Sequence, residues 1–221
     1  GHGVRFVAAS ATIPNVGEVG AWLGVSSSGV LAFPASYRPV PLELVVLGTR
    51  VGNRSGFMFE RSLNYRVFEV LMAHGQRRRV SAGGGMLPTL IFCSSRSGAA
   101  ATAKHLVTHD LGSGGVLAGG ARGAAQRAAL DAAAERVGSA ALGAVLPLGV
   151  GFHNAGLSAS DRATVEALFL SSELPILCST TTLALGVNLP AATVVIKSTQ
   201  RYVGGAYAEY SAMEMLQMVG R

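Results

Sequence analysis

The apolar run Pro175–Cys178 (PILC), continued by Ser179–Pro190 (STTTLALGVNLP), is the stretch on which the reading of this chain turns. A short run without polar alternation is a strand covered on both faces, as in a parallel sheet. Four hydroxyls, Ser179 to Thr182, follow that strand and suit phosphate contacts. Gly186 then allows backbone to come close to a ligand, and Asn188 can bond a sugar or a facing polar residue. Alone, the same residues make an ordinary Thr-rich turn.

The pattern recurs along the chain. Arg5–Ala9, Leu42–Leu47, Thr89–Cys93, Val150–Phe152 and Thr193–Ile196 are further short apolar runs and read as strands. Between them, Asn15–Leu23, Leu63–His74, Ser97–Thr108, Ala124–Val137, Ser158–Leu170 and Ser211–Val219 carry apolar residues at helical spacing. Ser158 followed by Asp161 is a capping-box-like start. Alternation of strand and helix predicts an α/β layered fold with a parallel sheet flanked by helices. Val25–Pro41, closed by Pro34, Pro39 and Pro41, reads as a crossing linker. Leu111–Gly123 is Gly/Ala-rich and reads as a flexible insertion, and Arg77–Arg79 with Gly83–Gly85 as a loop.

A chain of 221 residues with 49% hydrophobic and 14% charged content can bury a sizeable core. Its net charge of +6 and isoelectric point near 9.9 allow an acidic partner such as nucleic acid, without a basic run to prove one. Cys93 and Cys178, both in apolar runs, fit reduced buried thiols of an intracellular protein. No apolar stretch is long enough to span a bilayer, and Gly1-His2-Gly3 opens no signal peptide. Histidines and cysteines lack metal-ligand spacing, so no metal site is expected.

Candidate chemistry sits where strands end, because loops there line the ligand crevice of parallel α/β sheets. Ser10-Ala11-Thr12 offers two hydroxyls that can relay the state of a neighbouring acidic loop. Ser94-Ser95-Arg96, with Ser97 able to cap the next helix, combines hydroxyls, a guanidinium and free helix amides into an anion site. His153-Asn154-Ala155-Gly156 forms a tight loop fit to face a phosphodiester backbone. His153 suits a general base, although a hydrogen-bonded structural histidine is the commoner outcome. Gln217 and Arg221, four apart, share one face of a helix, and an Arg at a lobe interface can stabilise charge on a transferring γ-phosphate.

Taken in order, Ser10-Ala11-Thr12, TLIFCSSR (Thr89–Arg96), FHNAGL (Phe152–Leu157), STTTLALGVNLP (Ser179–Pro190) and QMVGR (Gln217–Arg221) resemble the later motifs of superfamily-two DExH-box helicases of the Ski-like branch. RFVAASATIPN, YRPVPLELVVLG, SLNYRVFEVL and VVIKSTQRYVGGAYAEYSAMEMLQMVGR are similar to the meiotic crossover-promoting ATP-dependent DNA helicases. The resemblance covers nearly the whole chain, with Leu111–Gly143 matching poorly. It implies a RecA-like, P-loop-NTPase-type parallel sheet, and a motor that moves 3′ to 5′ on single-stranded or branched DNA in the nucleus. It implies ATP and magnesium in a cleft between two such lobes.

Carried over by residue, the resemblance makes Ser10 and Thr12 a coupling motif between ATP state and strand movement. Ser94, Ser95, Arg96 and Thr180 match positions near the nucleic-acid backbone, and His153, Asn154 and Gly156 a loop on the same face. Gly186 and Asn188 match the nucleotide-facing turn; Gln217 and Arg221 match the last motif. Residues 1–30 are expected to be the last strand and helix of a first lobe, 31–41 a linker, and 42–221 the helicase C-terminal lobe. The family's GxxxxGK[ST] loop and DExH box would precede Ser10 and do not occur in the 221 residues, and the motif's second arginine would follow Arg221. The polypeptide by itself is therefore expected to hydrolyse no ATP and to need a first lobe. Two other readings remain: a Ski-like RNA helicase segment, and a non-enzymatic RecA-like binding module. A Rossmann-type oxidoreductase or hydrolase lacks its GxGxxG after a first strand.

Overall fold

Four of the apolar runs pair into one parallel sheet in the computed structural model, which describes residues 4–10, 13, 15–50, 52, 55–75, 87–112, 123–181, 183 and 187–221. The strands are β1 (Thr89–Phe92), β2 (Val150–His153), β3 (Ile176–Ser179) and β4 (Thr193–Ile196), in the order β2-β3-β1-β4. Phe92 pairs with Ser179 and Ile196, and His153 with Ser179, so all four strands end in register. Every residue of β1, β2 and β3 is buried, which is why those segments read as unbroken apolar runs rather than alternating ones.

The helices are α1 (Val16–Trp22), α2 (Gly56–Val70), α3 (Arg96–Gly112), α4 (Ala124–Arg136), α5 (Ala140–Gly143), α6 (Ala159–Leu170) and α7 (Ala212–Val219). Parallel strands require crossovers, and α3, α4 and α6 lie on the chain between them. Leu106 of α3, Leu130 of α4, and Val165 and Phe169 of α6 are fully buried with Leu90, Ile91 and Leu177 of the sheet. A hairpin of β5 (Gln200–Val203) and β6 (Ala206–Glu209) follows β4. Gly204 and Gly205 carry it through φ +61° and +88°, where a side chain would be strained. The apolar-run reading passes over this hairpin because its strands are mostly exposed.

Several local expectations change. The helix expected from Leu63 starts at Gly56, because the Ser55 hydroxyl accepts from the Met58 amide and opens the helix earlier than its apolar stripe. The cap of α3 is Ser95 rather than Ser97: Ser95 directly precedes the first helical residue, and its Oγ accepts from Gly98 N at 3.0 Å. Ser158 caps α6, but Asp161 does not return the bond; its carboxylate accepts instead from Gly138 N (2.9 Å) and Ser139 N (3.1 Å). A reciprocal capping box is present one helix later, between Ser211 and Glu214 of α7.

The chain divides into two compact units, Gly1–Gly52 and Asn53–Arg221. Residues 42–52, expected to open the second lobe, fall in the first of them. Within that unit, residues 5–9 and 42–47 are not strands, contrary to expectation, and Phe6 and Val46 are 86% and 84% exposed. Local preference makes such segments extended, but a strand exists only where a neighbour supplies partners for its amides and carbonyls. Arg77–Arg79, Gly83–Gly85 and nearly all of the expected insertion 111–123 lie outside the described residues.

Candidate functional site

Because the four strands are parallel and in register, the residues that follow them share one edge of the sheet. Ser94 follows β1, Asn154 follows β2, Thr180 follows β3 and Lys197 follows β4. The backbone ladder runs on past the strands: Cys93 N donates to Ser179 O at 2.7 Å, and Lys197 N to Phe92 O at 3.1 Å. This edge is therefore fixed by sheet hydrogen bonds rather than by loop packing.

The β1–α3 loop presents the better anion chemistry. Arg96 is exposed at the first helical position, Ser95 is half-buried, and the opening amides of α3 lie beside both. Ser94 is buried, and its carbonyl accepts from Tyr202 N at 3.3 Å, which fastens the β5–β6 hairpin next to this loop.

The β2–α6 loop is tied to it. Asn154 Nδ2 donates to Arg96 O (3.2 Å), while its Oδ1 accepts from Gly156 N (2.8 Å). A Cβ on Gly156 would stand 3.0 Å from Asn154 Oδ1 and press on the side chain that accepts from the Gly156 amide. His153 is buried, with Nε2 2.7 Å from Glu166 Oε1 of α6. Its ring is thus held between strand and helix, in the structural role rather than that of a solvent-facing base.

Of the four hydroxyl residues from the end of β3 onward, Ser179 and Thr180 are buried, Thr181 is half-buried and Thr182 lies outside the described residues. The Ser179 hydroxyl reaches His153 O (3.1 Å) and Thr180 O (3.0 Å), joining the ends of β2 and β3. Gly186 also lies outside the described residues. Asn188 is exposed, and its Oδ1 is 3.4 Å from Arg221 Nη1, which donates to Val187 O at 2.7 Å. Arg221 lies beyond the end of α7, contrary to the expectation that it shares a helix face with Gln217. Gly220 is the C-cap, and the residue after it is free to turn back. Burial lowers the Arg221 pKa from its ordinary value, yet guanidinium remains charged at any physiological pH.

Ser10 is exposed in the first unit, and Thr12 lies outside the described residues. Cys93 and Cys178 are fully buried free thiols; burial raises Cys93 to about 11 and Cys178 well above its usual value, so neither is a nucleophile. Among the described residues no three His, Cys, Asp or Glu side chains are grouped to hold a metal, and no helix is long and apolar enough to cross a membrane. Sequence reasoning missed Lys197 and Glu60, buried and 3.1 Å apart at this edge. The only available signal was a lysine directly after an apolar strand.

A buried parallel sheet flanked by helices, with polar loops gathered where its strands end and an arginine bonded to the loop after β3, is the α/β arrangement of a RecA-like lobe. Residues 87–221 match the helicase conserved C-terminal domain, and the chain belongs to that family. It is 41% identical over 99% of its length to "Probable ATP-dependent DNA helicase HFM1" of Mus musculus. It is 34% identical over 99% of its length to "ATP-dependent DNA helicase MER3" of Saccharomyces cerevisiae. It is 38% identical over 99% to "U5 small nuclear ribonucleoprotein 200 kDa helicase" of Drosophila melanogaster. The chain spans 14%, 17% and 10% of those proteins.

Proposed function

We propose that this chain supplies the strand-tracking and nucleotide-sensing lobe of an ATP-dependent 3′–5′ DNA helicase that acts in meiotic crossover formation in the nucleus. Residues 1–30 belong on this reading to a first RecA-like lobe, 31–41 to a linker and 42–221 to the second lobe. Single-stranded or branched DNA runs along the edge where the strands end. Ser95 and Arg96 face its phosphates, with Ser94, His153, Asn154, Gly156 and Thr180 shaping the loops behind them. Ser10 and Thr12 couple nucleotide state to strand movement.

One observation carries the reading: Asn154 bonds the β2–α6 loop to Arg96, which joins the two candidate strand-facing loops side by side. The similarity to DNA helicases named for that activity supports DNA over the RNA-directed alternative. ATP fits the loop after β3, where Arg221 and Asn188 would meet the nucleotide from this lobe; Gly186 and Gln217 join them on the family resemblance alone. ATP supplies the free energy of movement when bound. For magnesium, no three His, Cys, Asp or Glu side chains are grouped among the described residues, and on this reading the first lobe would supply its ligands.

The test is fluorescence anisotropy of the chain with a short oligothymidylate across a salt series. Binding should weaken with salt, and Arg96→Ala should lower the slope of log affinity against log salt by roughly 1. No binding at low salt would refute strand contact, and equal or tighter binding to oligouridylate would favour the RNA-directed reading.

A further inference from the structure

Lys197 and Glu60 form an ion pair at 3.1 Å, with side chains only 2% and 10% exposed. Lys197 Nζ also donates to Thr102 Oγ1 of α3 (3.2 Å), and that hydroxyl donates to Asn64 Oδ1 of α2 (3.0 Å). Two charges this deep are weak evidence for stability, because removing them from water costs about as much as their attraction returns. The pair is also imperfect: Glu60 Oε1 is within ion-pair distance of Lys197 but off the line of a hydrogen bond, and is otherwise without a hydrogen-bond partner. A buried pair that is poorly optimised for the fold calls for a second explanation, and its position provides one.

Glu60 Oε1 lies 3.8 Å from where a Cβ on Gly98 would stand, in the first turn of α3. That turn carries the free amides, Ser95 and Arg96 of the anion-facing loop. A carboxylate behind such amides opposes any phosphate in front of them, through protein that screens charge far less than water does. Lys197 removes that opposition, and its backbone is bonded to Phe92 at the root of the same loop. We infer that Lys197 is a positioning residue for phosphate at the β1–α3 loop, acting by neutralising Glu60 behind the first turn of α3. The inference rests on the reading that this loop contacts the phosphates of the strand.

The sign of the charge separates this from a role in packing. Neutralising Glu60 leaves a spare cation behind the loop; neutralising Lys197 leaves a spare anion. Binding of the full chain to a fluorescent oligothymidylate is measured for Glu60→Gln, Lys197→Met, the double variant and Lys197→Arg, with thermal unfolding of each. Lys197→Met is expected to weaken binding about tenfold, a factor equal to about 1.4 kcal/mol. Glu60→Gln should match or tighten wild-type binding, and the double variant and Lys197→Arg should return close to it. Should Lys197→Met not fold, Glu60→Gln decides alone: weaker binding overturns the inference. Both single variants weakening binding in step with lost thermal stability would also overturn it, as would no change in either. If wild type binds no strand, or Arg96→Ala has no effect, the reading of the loop itself has failed and this inference with it. If Arg96→Ala weakens binding while the two charge variants do not shift it in the expected directions, only the role of Lys197 has failed.

Discussion

Arg221 Nη1 donates a 2.7 Å hydrogen bond to the carbonyl of Val187, joining the residue beyond α7 to the loop that follows β3. These are the two segments that sequence reading pairs as nucleotide-facing. The bond holds the guanidinium beside Asn188.

Arg221→Ala, placed in a protein carrying both lobes, should lower ATP turnover by roughly 10³, the scale of a lost arginine at a transferring phosphate. Strand affinity should change far less than turnover, since the hydrogen bonds of Arg221 go to Val187 and Asn188 and not to Arg96 or Asn154. Arg221→Lys should not rescue, because an ammonium lacks the planar fork. Phosphate-release kinetics beside anisotropy decide it; turnover close to wild type would remove Arg221 from the reaction.

Asp161 is 4% exposed, and its two oxygens hold the amides of Gly138 and Ser139. Asp161→Ala would leave both without that acceptor, at about 1–3 kcal/mol for each group that stays buried. Asp161→Asn keeps one carbonyl oxygen and should cost less. Urea unfolding gives the values; a variant as stable as wild type would show that solvent replaces the carboxylate.

The two thiols should be silent in the folded chain. With burial raising Cys93 to about 11 and Cys178 well above its usual value, iodoacetamide at neutral pH should label neither until urea is added. The sign for stability follows: unfolded thiols ionise first, so these groups lower stability as pH rises above the ordinary thiol value towards 11. Mass spectrometry of native and unfolded samples reads the labelling, and rapid native alkylation of either cysteine would contradict its burial.

Glu214 is held below its usual pKa, chiefly by the Ser211 backbone amide, then by the Ser211 hydroxyl and Arg201. A lowered carboxylate stabilises the fold above the unfolded value, near 4.3, and the effect is lost as pH falls through the lowered folded value. Glu214→Gln should therefore melt below wild type at neutral pH, and the two curves should converge in acid. A difference that is constant with pH would mean that the carboxylate's charge contributes nothing.

How much of this was legible beforehand differs by element. Strands β1 to β3 could be read because both faces are buried, which leaves an unbroken apolar signature. Six helices could be read from their spacing; the single turn α5 was passed over, and the start of α2 was missed because it depends on one hydroxyl, at Ser55. The candidate site was legible as motifs: Ser94, Asn154 and Thr180 were each placed after the correct strand. Their burial was not legible, nor was the division of labour in which Asn154 serves Arg96 and His153 serves Glu166. Residues 5–9 and 42–47 show the opposite failure, a sound local preference for extended chain with no partner strand among the described residues to complete it.

The order of residues alone was enough to specify the α/β class, the parallel sheet and the helicase family, because burial on both faces, helical spacing and the strand-end motifs are local patterns. Strand order β2-β3-β1-β4 was not contained in any local pattern, nor was the bond from Arg221 to Val187 or the meeting of Lys197 with Glu60. Each of these joins residues far apart in the chain, and such contacts form only when the whole core closes around them.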